Sequence, residues 1–206
     1  SEIKTALFPV RPGTLGIGPA VVRCQVQKEL NIDPYAPDFF QKFFSQGLVQ
    51  AQTQDLGSDP LQVSVMALPE AAKPASFTGA VGEFRVTAGV DKRSVKVGEA
   101  VTLSLSVEGQ GNLKALCPPK LPDMPGLRVF DTLSSMSLNK KDDIVRGTKE
   151  FKTILVPRAS GAQKVPSIPF SFFSPASAYY VSAGTVPLEL DVAPAAPTGL
   201  SLGTIT

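Results

Sequence analysis

The sequence predicts an all-β protein with an immunoglobulin-like β-sandwich fold: one complete domain preceded by the C-terminal half of another. Three observations predict it. Residues 101–107 read Val-Thr-Leu-Ser-Leu-Ser-Val, an unbroken apolar/polar alternation. Helical periodicity is nearly missing. Two blocks of the chain recur at fixed offsets.

The alternation sets the element type. Side chains on a strand point to opposite faces in turn, so Val101, Leu103, Leu105 and Val107 share one face, the mark of a half-buried strand. Residues 85–90 alternate likewise, and Lys96, Val97, Gly98 and Glu99 supply the turn between the two. The 17 glycines and 19 prolines are scattered among Val, Leu, Thr and Ser. Such punctuation fits many short strands with tight turns and does not fit disorder. Gly109, Gln110, Gly111 and Asn112 are expected to break the strand. The four prolines between Pro118 and Gly126 predict an extended loop outside any central ladder. Further strands are expected over 127–130, 144–156, 165–173 and 186–192, with Asn139 to Asp143 as a solvated hairpin tip. About seven short strands of this kind fit two packed sheets.

The recurrence sets the domain organisation. Lys4-Thr5-Ala6-Leu7-Phe8-Pro9, with Gly13 and Ile17, matches Lys152-Thr153-Ile154-Leu155-Val156-Pro157, with Gly161 and Val165, at a constant offset of 148. Pro60-Leu61-Gln62-Val63-Ser64-Val65 matches Pro187-Leu188-Glu189-Leu190-Asp191-Val192 at an offset of 127, which places a 21-residue insertion in the first copy. Residues 81–148 precede the repeated blocks in the second copy and have no counterpart in the first. The expected division is a partial domain over 1–66 carrying a Phe-rich insertion at 27–57, a linker over 67–80, a complete sandwich over 81–192 and a tether over 193–206. Strands expected at 3–10 and 20–27 would lack their neighbours, leaving edges open to self-association or to another chain.

Candidate sites are few. Asp38 could cap a short helix ended by Gly47, with Phe39/Phe43 and Phe40/Phe44 at i, i+4 spacing. These four rings either plug the open sandwich or anchor a protein partner. Tyr179 and Tyr180 could form a sugar-stacking platform, although neighbouring residues on a strand face opposite ways. Phe77 is expected to dock the linker on one domain.

Composition excludes more than it identifies. Twenty basic residues against 18 acidic ones, without a basic aromatic face, argue against nucleic acid. The absence of histidine removes Ser-His-Asp and Cys-His catalysis and His-based zinc sites. Carboxylates such as Asp91, Glu99, Asp123 and Glu150 are dispersed, so no acid/base pair is indicated. Gly109-Gln110-Gly111 lacks the following helix of a phosphate loop. Cys24 and Cys117 lie far apart in sequence without C-x-x-C spacing: they could pair, or be two independent packed thiols. No cofactor, metal site or enzymatic activity is expected, and no apolar run is long enough for this segment to insert in a bilayer.

Leu68-Pro69, Pro74, Phe77-Thr78-Gly79-Ala80-Val81-Gly82, Val97-Gly98-Glu99, Gly109-Gln110-Gly111-Asn112-Leu113-Lys114, Leu121-Pro122 and the Phe-rich segment at 38–44 together resemble the BatD oxygen-tolerance (Bacteroides aerotolerance) family. The Phe-Thr-Gly-Ala-Val-Gly and Gly-x-Gly-Asn-Leu-Lys blocks are the most specific. The resemblance implies a bacterial envelope protein with a signal peptide, tandem Ig-like domains in the periplasm and an inner-membrane helix beyond them. It also implies work beside von Willebrand factor A-domain membrane proteins and a MoxR-type ATPase in aerotolerance or stress resistance. It carries over no catalytic residues. The expectation is thus a protein-interaction or scaffold segment, with a carbohydrate- or peptidoglycan-binding module as the alternative.

Overall fold

Every element over the described residues except one turn of 3-10 helix is a strand. The computed structural model describes residues 4–29, 37, 49–141 and 144–195. These divide into two compact units, Pro9–Ala67 and a larger one that joins residues 4–8 to the chain from Leu68 onward.

The larger unit is a β-sandwich. Its strands are β5 (Phe77–Val90), β6 (Ser94–Lys96), β7 (Val101–Gly111), β8 (Leu127–Lys141), β9 (Ile144–Pro157), β10 (Gly161–Val165), β11 (Pro169–Ser174), β12 (Tyr179–Gly184) and β13 (Leu188–Ala193), with the 3-10 turn at Leu113–Ala115. The smaller unit contributes β1 (Gly13–Ile17), β2 (Val21–Glu29), β3 (Val49–Gly57) and β4 (Leu61–Val65). One sandwich sheet runs β12-β11-β5-β7-β9-β8 and the other β10-β13-β6. The alternation of β7 is realised in full: Val101, Leu103, Leu105 and Val107 are all buried, and so are Leu188, Leu190 and Val192 of β13. They close one core with Val86, Phe151, Leu155, Val165, Phe170 and Phe172. Burying each such side chain stabilises the fold by about 1.5–3 kcal/mol.

The smaller unit repeats part of this architecture. β1 pairs with β4 from Gly13↔Val65 to Ile17↔Leu61, and β10 pairs with β13 from Gly161↔Val192 to Val165↔Leu188. Each member of the second ladder is the first shifted by 148 or 127. The same shifts carry the β2/β3 pairs Val21↔Gly57 and Val26↔Gln52 onto Pro169↔Gly184 and Ser174↔Tyr179 of β11/β12. The insertion therefore lies within the longer β2/β3 hairpin, over 27–51, and residues 52–57 of the expected insertion are repeated strand.

Several expectations are corrected. Residues 4–10 are not a strand although their sequence matches the end of β9. β9 is a strand because β7 and β8 pair with it on either side; no strand ladder among the described residues includes residues 5–9. The expected linker ends at residue 76, because Phe77 already belongs to β5, which runs parallel to β11. Gly109 and Gly111 do not break β7. The single strand expected over 165–173 is β10 and β11, separated by residues 166–168, and Ala193 is the last residue of β13. Both thiols are free; Cys117 is exposed and not packed, while Cys24 is half-buried. The helix expected at 38–47 and the tether beyond residue 195 lie outside the described residues.

Candidate interaction surfaces

The two most specific sequence blocks meet in space. β5 and β7 are antiparallel, with Gly82 opposite Gly111 and Phe84 opposite Gly109. A Cβ on Gly82 would lie 2.1 Å from the Gln110 carbonyl oxygen, and one on Gly111 would lie 2.3 Å from that of Val81. Both glycines have positive φ, +143° and +138°, so the crossing needs glycine for its space and for its backbone. Asn112 then extends the ladder with its side chain: Oδ1 accepts from the Val81 N–H at 2.9 Å and Nδ2 donates to the Gly79 carbonyl at 3.0 Å. Leu113 is buried. Lys149 Nζ donates to the Lys114 and Leu116 carbonyls at 3.1 and 2.7 Å, closing the end of the 3-10 turn. These blocks are structural joints.

Tyr180 is consumed by a second joint. Its hydroxyl donates to the Pro69 carbonyl at 2.8 Å, and its ring meets Phe77 and Phe173 edge-on at 4.9 and 5.3 Å. Lys73 Nζ lies 5.9 Å from the centre of the Phe77 ring. Phe77 thus pins the segment before it, as the sequence suggests. Tyr179 is exposed and sits one residue away, on the other face of β12. The structure does not bring the two tyrosines together as one stacking surface. Phe39, Phe40, Phe43 and Phe44 lie outside the described residues.

The open surface that sequence reading missed is the edge formed by β8. This strand is 15 residues long, pairs with β9 on one side and, among the described residues, has no strand on the other. Natural edges are guarded by charge, proline or brevity. The stretch from Thr132 to Asn139, Thr-Leu-Ser-Ser-Met-Ser-Leu-Asn, holds no charge and no proline. Leu133 is 74% exposed, and Phe130, Met136 and Leu138 are exposed as well. A bulge between Val129 and Thr132 sets this stretch off from the start of the strand, and Arg128 covers the Phe130 ring at 4.8 Å. Alternation makes 127–130 legible as a strand. Whether a strand is central or at an edge depends on tertiary order, and no local signal reports it.

The polar groups hold structure. Thr153 and Thr132 share a hydrogen bond at 2.6 Å, Ser171 bonds Ser76 at 2.5 Å, and Ser174 bonds Glu83. No buried side-chain polar atom among the described residues lacks a partner. The shifted ionisable groups belong to surface pairs. Arg23 and Asp55, opposite each other on β2 and β3, form two bonds at 2.8 and 3.0 Å, which raise the arginine and lower the aspartate. Lys92 bonds Glu99 at 2.7 Å, raising the lysine and lowering the glutamate. Desolvation pushes Asp91 upward, but bonds from Thr102 and the nearby Lys92 outweigh it and hold the carboxyl below its usual range. Among the described residues, no three His, Cys, Asp or Glu converge as a metal site, and no helix is long and apolar enough to cross a membrane.

Two packed sheets around one shared core define an all-β sandwich protein. The model of the BatD DUF11 like domain matches residues 88–192, just over half of the sequence. The chain belongs to the BatD family. No curated protein and no solved structure matches it.

Proposed function

We propose that this chain is a non-catalytic, extracytoplasmic interaction segment of a bacterial envelope protein linked to aerotolerance or stress resistance, and that it engages protein partners along β8. Family membership supports the envelope and aerotolerance context, and von Willebrand factor A-domain membrane proteins are the partners that context suggests. The observation that carries the interaction reading is the unguarded stretch of β8. Its outer side, which pairs with no strand among the described residues, can accept one more strand from a partner, with main-chain bonds giving affinity and alternate side chains giving selectivity.

The test is site-specific photo-crosslinking in the native envelope. A photoreactive residue at Leu133 should give a discrete adduct, whereas one at Val186, which is 79% exposed on the link between β12 and β13, should give none. Equal labelling from both positions, or none from Leu133, would rule the β8 edge out.

A further inference from the structure

We propose, resting on the β8 reading above, that until a partner strand takes this edge β8 pairs antiparallel with β8 of a second copy of the chain, about a two-fold axis through Leu133. The ladder with β9 sorts the side chains of β8 by face. Val129, Thr132 and Ser134 stand opposite Leu155, Thr153 and Phe151, which are all buried, so this row lies on the core side of the sheet. Met136, two residues beyond Ser134, lies on the same side. Leu133 stands opposite Lys152 and lies on the outer side. Besides Leu133, Val129 is 43% exposed and Met136 39%, so the edge offers apolar surface on both faces, at different positions along the strand.

A second β8 meets all of these positions at once. A two-fold axis normal to a sheet edge continues the sheet with its faces kept, so each residue meets one from its own face. With the axis on Leu133, that side chain meets its own copy on the outer side, and Ser134 meets Thr132 on the core side. The bulge between Val129 and Thr132 places two residues of β8 against the single Ile154 of β9. That extra residue brings Val129 of one copy opposite Met136 of the other, again on the core side and twice over. An axis on Ser134 or Ser135 would set Leu133 against Ser135 or Ser137, and Met136 against Thr132 or Ser134. Directly opposed apolar pairs are what stabilise a strand pair, and the uncharged stretch from Thr132 to Asn139 opposes no like charges when it meets itself. Two strands joined by one ladder make a small interface, and small interfaces are weak. The dilute chain therefore keeps a free edge, and the pair forms where concentration or tethering brings copies together.

Disulfide trapping reads the register. Residues directly opposed across an antiparallel pair have Cα atoms about 4.5–5.5 Å apart, within reach of a disulfide. In the 206-residue chain with both native thiols removed by Cys24→Ser and Cys117→Ser, Leu133→Cys should oxidise to a dimer with oxidised glutathione. Ser137→Cys, whose two copies would stand roughly 30 Å apart along the strands, should give about tenfold less dimer. Mixing the Val129→Cys and Met136→Cys chains should give the mixed dimer. Equal trapping at Leu133 and Ser137, or none at Leu133, would overturn the proposal. Sedimentation equilibrium checks the pair without a crosslink: the mass of the unsubstituted chain should rise with concentration, and Leu133→Lys, at an exposed position, should hold the chain monomeric. A chain that stays monomeric at about 1 mM, the local concentration that tethering supplies, would contradict self-pairing. The β8 reading is judged separately by the adduct from Leu133 in the native envelope. An adduct there to another protein, with no trapped dimer, would overturn self-pairing and leave that reading in place.

Discussion

Ser58 and Thr185 make the same corner in two different ladders. The Ser58 hydroxyl accepts from the Ala20 N–H at 3.0 Å, and the Ser58 N–H donates to the Ala20 carbonyl at 2.9 Å. The Thr185 hydroxyl accepts from the Ile168 N–H at 3.0 Å, and the Thr185 N–H donates to the Ile168 carbonyl at 3.2 Å. The residues differ and the geometry does not, which extends the repeat beyond its strands to the corner that sets their register.

The two corners differ in burial, so the same deletion should have different costs. Ile168 and Thr185 are buried, and Thr185→Val would leave the Ile168 N–H without its acceptor. That loss should cost about 1–3 kcal/mol in chemical denaturation. Ser58→Ala, at an exposed site where water replaces the hydroxyl, should stay within about 0.5 kcal/mol.

Leu190 and Val63 are equivalent positions in different surroundings, one fully buried and one 41% exposed. Leu190→Ala opens a cavity in the core and should cost about 2–5 kcal/mol. Val63→Ala in the 206-residue chain should cost less than about 1 kcal/mol. Urea titrations of the two variants measure the contrast directly.

Gly111 is held by two constraints at once, a positive φ and a carbonyl where a side chain would begin. Gly111→Ala should destabilise the larger unit by at least about 2 kcal/mol through backbone strain. Gly98→Ala, also at positive φ but with open space around it, should cost about 1 kcal/mol. Thermal unfolding of both separates the steric part from the conformational one.

The Lys92–Glu99 pair sets a pH dependence of known sign. Bonds from Lys92 and from the Lys96 N–H depress the Glu99 carboxyl. A depressed folded value favours the charged form, so its contribution is present above the ordinary carboxylate range and is lost as pH falls through the folded value. Lys92 is raised by the same pair, so its part is present below its unfolded value and is lost as pH rises through the folded one. Stability curves of the wild type and Glu99→Gln should converge in acid and separate above the carboxylate range. Because the pair is exposed, about 1 M salt should shrink the gap.

Much of the fold is legible in the sequence where a local pattern has one structural solution. The alternation of β7 and of β13 names their core faces, and the offsets of 148 and 127 foretell ladder registers that only pairing could realise. Glycine is ambiguous: at 109 and 111 it reads as strand punctuation, yet it serves a close crossing with Gly82 that depends on a strand far away in sequence. Residues 5–9 carry a strand sequence and form no strand among the described residues, because a strand exists only as part of a pairing. The candidate site was the least legible part. Tyr180 reads as a surface ring and is occupied by Pro69 and Phe77, while the open edge of β8 leaves no mark on its own residues beyond the missing charges.

Hydrogen exchange along β8 is the most direct test of the interaction reading. In the isolated chain, the β8 amides between Thr132 and Asn139 that do not pair with β9 should exchange far faster than the β7 amides, which lie between two ladders. In the native envelope assembly the same β8 amides should become protected while those of β7 stay unchanged. Equal exchange of the β8 amides with and without the assembly would contradict the account.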